Sequence, residues 1–247
     1  MFKKFIFCIF FCINPALAGE IWNSDEGLKR LEKSQFKSDF YQLVNFYQPQ
    51  INPVYCSIAS SIIVLNALNY GEISSQKSEE LIKPNGEVAE YKLFTQRGFL
   101  NEETDKIKPR EVIDYKAQNK DLKYDPGISL SDLSKILSRN YHLKTTLVSV
   151  KKNNQKIVEE FRLTLKKVLS DKTRFLLANF NGEILKQKYS GHFSPLVAYD
   201  EESDSVLILD VALHKNQWFW TPISDLISAM NTKDNNTYRG YLLVENR

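Results

Sequence analysis

Residues Gln50 to Leu68 read Q-I-N-P-V-Y-C-S-I-A-S-S-I-I-V-L-N-A-L. Pro49 and Pro53 bracket an extended approach. From Cys56 the chain turns apolar and Ala/Ser-rich through Leu68, a run too long for an ordinary strand and long enough for a buried helix. Asn66, Asn69 and Gly71 supply its stop. The reading therefore places a cysteine at the N-terminus of a core helix, six residues after Gln50. Cys56 is the one cysteine beyond Cys8 and Cys12. A lone thiol makes no internal disulfide, so it is either a small core side chain or present for its reactivity.

Two later stretches favour reactivity. Gly191 to Pro195 reads G-H-F-S-P, and Ile208 to Val211 reads I-L-D-V. Cysteine, histidine and aspartate thus follow in the order of a papain-type site, and 136 residues separate Cys56 from His192, inside the spacing of about 130–150 residues known for such pairs. A helix N-terminus and a neighbouring histidine would both favour the thiolate, which is the nucleophile. His192 is the candidate base. Asp210, on the next predicted strand, would accept from the other imidazole nitrogen and hold the tautomer. Gln50 would offer its amide, beside the Cys56 backbone N–H, to a tetrahedral oxyanion. Each residue also has an ordinary reading. His192 could be a satisfied core histidine, with His142 and His214 as competing bases. Asp210 could be a strand-end residue, and Gln50 a loop residue.

Outward from these motifs, the first half of the chain predicts helices: a short one over Glu26 to Lys33, one in residues 125–140 capped by Ser129 or Ser131, and an amphipathic one over 154–169. Residues 72–90, rich in Ser, Lys and Glu with Pro84 and Gly86, read as a solvated loop or short surface helix. Then the period changes. Arg174 to Phe180, Phe193 to Tyr199, Ser205 to Val211 and Tyr238 to Val244 are short apolar runs separated by turn residues and predict strands. Asn181-Gly182 and Glu201 to Asp204 predict turns. Helices first and strands second give an α+β fold, with no internal repeat or low-complexity tract.

The opening eighteen residues, M-F-K-K-F-I-F-C-I-F-F-C-I-N-P-A-L-A, form a secretory signal. A short basic start precedes nine apolar residues, too few to span a bilayer, and Ala16-Leu17-Ala18 is a cleavage site. Cleavage after Ala18 gives a mature catalytic domain of residues 19–247, periplasmic or secreted. The formal charge of +3 falls almost to neutrality once Lys3 and Lys4 leave. No basic stripe suggests nucleic acid, and no later stretch is apolar enough for a membrane helix.

At this point four separated blocks resemble the phytochelatin synthases, papain-like γ-glutamylcysteine transferases, over roughly residues 35–246. F-Y-Q-P-Q-I-N-P-V-Y-C-S-I-A-S resembles the family's F-x-T-Q-x-x-P-A-[FY]-C-G-x-A-S. Y-K-L-F-T-Q-R-G-F-L-N-E-E-T (Tyr91 to Thr104) is similar to F-T-Q-x-x-F-x-x-E-x-T. Q-K-Y-S-G-H-F-S-P-L-V-A-Y (Gln187 to Tyr199) resembles G-Q-x-x-x-G-H-[FI]-S-P-x-x-x-Y. A-M-N-T-K-D-N-N-T-Y-R-G-Y (Ala229 to Tyr241), after V-L-I-L-D-V-A, is similar to A-M-[DN]-T-x-D…R-G-F.

The resemblance implies a papain-like two-lobe fold of the short bacterial type, without the Cys-rich C-terminal extension of eukaryotic members. Its nucleophile, base, orienting acid and oxyanion amide fall on Cys56, His192, Asp210 and Gln50. It implies attack on the Cys–Gly bond of glutathione, release of glycine, and transfer of γ-glutamylcysteine to a second glutathione or to water. Arg239, Asp234, Gln187, Gln96 and Thr95 become candidates for holding the charged tripeptide. With three histidines and one mature cysteine no metal-ligand cluster is read. A heavy metal such as cadmium or zinc would then enter as its glutathione thiolate complex, with no tightly bound cofactor. The oligomeric state stays open, a homodimer included. Three departures stand out: Ser57 for the family's glycine, and L-H-K-N-Q-W (Leu213 to Trp218) for R-F-K-Y-P-P, so that Leu213 and Asn216 replace an arginine and a tyrosine on the acceptor side. The rival readings are glutathione hydrolysis alone, a general papain-type protease, and a non-catalytic thiol or metal-binding protein.

Overall fold

A helix apolar on every side has no face to give to water. Ten of the thirteen residues of the Cys56–Leu68 helix are buried, and the rest of the molecule is arranged around it. The computed structural model describes residues 19–68, 79–82, 84–86, 88–91, 93–109 and 127–247. Residues 1–18, read as a secretory signal, and the expected helix stop at Asn69 and Gly71 lie outside them.

In chain order the elements are β1 (Glu20–Ile21), α1 (Asp25–Lys33), α2 (Ser38–Leu43), a 3-10 turn (Val44–Phe46), α3 (Cys56–Leu68), β2 (Glu79–Ile82) and β3 (Val88–Tyr91). Then come α4 (Gln96–Phe99), α5 (Glu102–Asp105), α6 (Leu130–Arg139), β4 (Lys144–Ser149), α7 (Gln155–Val168), β5 (Arg174–Asn181), β6 (Gly191–Asp200) and β7 (Ser205–Ile208). The chain closes with β8 (Phe219–Pro222), α8 (Ile223–Met230), β9 (Lys233–Asp234), β10 (Thr237–Tyr238) and β11 (Gly240–Glu245).

Seven strands form one sheet in the order β1-β8-β7-β6-β5-β11-β4, antiparallel at every pairing. Its two faces carry two cores. Phe175, Leu177, Phe193, Val197, Leu207 and Leu242 pack with α3 and α6. Leu176, Ala178, Phe180, Leu196, Ile208 and Tyr241 pack with α7 and α8. Because both faces are covered, the central strands read as unbroken apolar runs, and nine of the ten residues of β6 are buried.

The predicted strands and helices are all present, with shifted ends: Ser129 caps α6 and Asn154 caps α7. One reading is corrected. Within residues 72–90, the described residues 79–82 and 88–91 pair as an antiparallel hairpin, because cross-strand pairing satisfies the backbone of a polar segment as well as a helix does.

Past β7 the chain keeps following β6. A bulge shifts the register between Leu196 and Ala198, and the Leu209 N–H donates to the Pro195 carbonyl at 2.9 Å. The extra residue carries Asp210 back toward the start of β6, where His192 stands.

Candidate active site

Three elements meet at one end of the sheet. The start of α3 brings Cys56, the start of β6 brings His192, and the segment after β7 brings Asp210. Ser60 on α3 donates to the Phe193 carbonyl at 3.2 Å, tying the helix to the strand one residue from His192. The Gln50 N–H donates to the Val211 carbonyl at 2.8 Å, and the Tyr47 hydroxyl to the Asp210 carbonyl at 2.8 Å. The approach to Cys56 is thus stitched to the segment that carries the acid.

His192 and Asp210 are buried, and the imidazole Nε2 lies 2.8 Å from Asp210 Oδ1. A carboxylate only accepts, so Nε2 carries a hydrogen and Nδ1 is left for Cys56. The Cys56 sulfur faces the ring closely enough to act on its charge and is half-buried. Burial alone would push the imidazole pKa down. The Asp210 charge and hydrogen bond, joined by the sulfur, override it and raise His192 from 6.5 to about 9. The protonated imidazole stands beside the Cys56 thiol at the start of α3. His142 and His214, the competing bases, are exposed.

The cleft above Cys56 has a volume of about 380 Å³ and is lined by Asn179, Ser190, Gly191, Asp234 and Arg239 among others. Arg239 is 8 % exposed. Its Nη1 donates to the Lys233 carbonyl and to Thr232, and its Nη2 stands 3.6 Å from Asp234. Its Nε has no hydrogen-bond partner, nor has Asn179 Oδ1. Asn179 is 2 % exposed, and its Nδ2 donates to the His192 carbonyl at 3.3 Å. Both residues line the cleft, with these two unpartnered atoms buried beneath its surface.

The structure thus gathers Cys56, His192, Asp210, Arg239 and Asp234, and gives the other candidates different occupations. Gln50 donates both amide hydrogens to the carbonyls of Asn52 and Pro53, each at 2.9 Å, so in this arrangement it offers no free N–H to an oxyanion. Exchanging its O and N would set an oxygen against two carbonyls, which fixes the assignment. Gln96 is buried beneath the same loop, accepting from the Ile51 N–H at 3.0 Å and donating to the Pro49 carbonyl at 2.9 Å. It braces the approach to Cys56, as an interior amide must once its polar atoms are buried. Thr95 caps α4, its hydroxyl accepting from the Gly98 N–H. Gln187 sits in the β5–β6 turn, its N–H on the Gly182 carbonyl, and does not line the cleft. Ser57 is buried with an unpartnered hydroxyl. Leu213 is exposed.

Sequence reasoning missed Asn179 and Tyr189. An asparagine inside the apolar run F-L-L-A-N-F was the available signal for the first. The Tyr189 hydroxyl donates to Asp210 Oδ2 at 2.6 Å and its ring stacks on His192. Among the described residues no three His, Cys, Asp or Glu side chains gather as a metal site.

A family model described as phytochelatin synthase matches residues 20–241. "Glutathione gamma-glutamylcysteinyltransferase 3" of Lotus japonicus is 31% identical over 207 residues, 83% of this chain and 37% of the relative. "Glutathione gamma-glutamylcysteinyltransferase 1" of Arabidopsis thaliana is 28% identical over the same share of the chain, 36% of its own length. A protein of Schizosaccharomyces pombe named "Glutathione gamma-glutamylcysteinyltransferase" is 29% identical over 48% of this chain and 28% of its own. The chain therefore spans little more than a third of the plant relatives it matches. With nearly all of the described sheet and the whole Cys56–His192–Asp210 arrangement inside the matched residues, the chain belongs to the phytochelatin synthase family.

Proposed function

We propose that this protein is a cysteine-dependent γ-glutamylcysteinyl transferase acting on glutathione. The observation that carries the reading is the grouping of Cys56 with the buried His192–Asp210 pair, beside a cleft that Cys56 lines together with Arg239 and Asp234. An arginine and a carboxylate 3.6 Å apart suit a γ-glutamyl end, which bears one carboxylate and one ammonium.

The Cys56 thiolate adds to the carbonyl carbon of the Cys–Gly amide. The α3 N-terminus, through backbone N–H groups, meets the oxyanion. The His192 imidazolium gives its proton to the departing glycine nitrogen as the C–N bond breaks, leaving a γ-glutamylcysteinyl thioester and a neutral imidazole. The imidazole then takes a proton from the incoming nucleophile while the C–S bond breaks. An amine of a second glutathione gives a longer γ-glutamylcysteine chain; water gives free γ-glutamylcysteine. Asp210 holds the ring throughout. A heavy-metal ion enters as part of the substrate, bound to glutathione thiolates.

The papain-like frame is supported by a nucleophile at the start of a core helix packed against an antiparallel sheet that bears histidine and acid. The exposed Leu213, where the family has arginine, favours water over glutathione as acceptor. The basic start and the A-L-A site support export, which a reporter fused to residues 1–18 would test. The deciding experiment for the reaction is mass spectrometry of residues 19–247 incubated with glutathione, with and without cadmium. Glycine together with free or extended γ-glutamylcysteine is the expected outcome. Unchanged glutathione, or cleavage of an unrelated peptide pool instead, would overturn it.

A further inference from the structure

The loop between β5 and β6 returns from Gly182 to Gly191, and its only buried aromatic is Tyr189. The ring lies flat on the His192 imidazole, with centroids 4.0 Å apart and planes 26° apart. The opposite edge rests on Gly182: a Cβ there would stand 2.1 Å from the Tyr189 ring carbons. Gly182 also accepts from the Gln187 N–H and donates to the Ser190 carbonyl, so the loop closes on the residue that leaves space for the ring.

The hydroxyl completes the carboxylate. Asp210 Oδ1 accepts from His192 Nε2 and from the Ala212 N–H at 2.8 Å each, and Oδ2 accepts from the Tyr189 O–H at 2.6 Å. Among the described residues no other hydrogen bond reaches Oδ2, and Asp210 is fully buried. The Asn216 amide faces the same phenol without a hydrogen bond of good geometry. A buried carboxylate with one unpartnered oxygen is costly and free to rotate. Rotation would draw Oδ1 away from Nε2.

We infer that Tyr189 is a positioning residue: its hydroxyl locks the Asp210 carboxylate, its ring locks the face of the imidazole, and together they hold His192 Nδ1 on the Cys56 sulfur. The inference rests on the assignment of Cys56 and His192 as nucleophile and base. Burial and the Asp210 charge raise the Tyr189 pKa far above the ordinary phenol value, so it remains a hydrogen-bond donor throughout the working range. The titratable groups facing the Tyr189 ring are Asp210 from beyond β7 and Cys56 from α3, and Arg239, just before β11, packs against Gly191.

The test is Tyr189→Phe, which keeps the stacking and removes the hydroxyl. Three readouts are taken: steady-state kinetics with glutathione, the pH dependence of Cys56 alkylation by iodoacetamide, and Tm. The expected result is a kcat lower by about 10- to 100-fold, the scale of a lost hydrogen bond to a charged group, with KM within about twofold. The acid limb of the alkylation profile, where the thiolate forms beside the His192 imidazolium, moves to higher pH as the imidazolium loses its carboxylate. Tm changes little. Gly182→Ala, which forces the ring aside, is expected to move the limb the same way. A Tyr189→Phe protein with wild-type kcat and an unmoved limb overturns the inference. So does a loss of kcat that merely tracks a fall in Tm with the limb unmoved. Alkylation needs no glutathione, so wild-type protein that alkylates normally yet releases no glycine defeats the substrate reading while Tyr189 is still judged on the limb.

Discussion

The guanidinium of Arg239 occupies the space that a side chain at Gly191 would need: a Cβ there would stand 2.9 Å from Nη2. The residue before the candidate base and the candidate substrate clamp are therefore packed as one piece, and the clamp is held by Thr232, Lys233 and Asp234 with little freedom to step aside. Gly191→Ala should raise KM for glutathione about tenfold, the equivalent of about 1.4 kcal/mol of lost binding, while Cys56 alkylation stays near wild type. A parallel loss of alkylation would instead place the damage at His192.

His192 binds its proton more tightly folded than unfolded. Its contribution to stability is fully present below the unfolded value of about 6.5 and is lost as pH rises through about 9. Wild-type Tm should fall across that window, and His192→Gln should remove this share of the slope. An unchanged slope in the variant would show that the imidazole is not held charged.

Asp39, in the first turn of α2, is fully buried with both oxygens unpartnered. Burial, aided by the Asp171 charge, raises its pKa from 3.8 to about 9. The folded chain then holds a proton the unfolded chain has released, so stability falls as pH rises between those values. Asp39→Asn cannot ionise and should stabilise by about 1–3 kcal/mol at pH 8, with the advantage vanishing near pH 4. Thermal melts at the two pH values decide it.

Gln96 distinguishes a brace from a substrate contact. Gln96→Leu leaves the Ile51 N–H and the Pro49 carbonyl unpartnered and should cost about 1–3 kcal/mol of stability, lowering kcat through the displaced approach to Cys56. A change confined to KM, with Tm intact, would return Gln96 to the substrate.

Leu213 is 53 % exposed, so a longer polar side chain fits without repacking. Leu213→Arg should raise the ratio of transfer to hydrolysis by about tenfold, since one guanidinium–carboxylate contact to the acceptor is worth that much. Product ratios by mass spectrometry give the answer.

The parts of this fold legible in the sequence are those where local pattern and burial agree. The α3 helix declares itself by length, and β5, β6 and β7 by apolar runs between turn residues. β4 escaped because Lys144, Thr146 and Leu147 are exposed on an edge strand and blur the pattern. α8 escaped because β8 ends at Pro222 and the helix begins at Ile223, with no turn residue between them. At the site, Cys56, His192 and Asp210 were legible as types in order. Gln50, Gln96 and Thr95 were legible only as polar residues near the right place, and whether an amide faces a ligand or a loop carbonyl is a matter of orientation. Tyr189 carries no period at all; its role exists only once a bulge returns Asp210 to His192.

The burial of α3 also limits how such a protein can change over evolutionary time. Ile58, Ile62 and Leu65 are wholly buried on the helix that carries the sulfur, so substitutions there disturb the whole scaffold. Drift in reactivity and acceptor choice is left to the loops around the site, residues 48–53, 182–190 and 209–218. Homologues of similar stability should therefore diverge in chemistry by trading side chains in those loops, while the helix beneath them stands still.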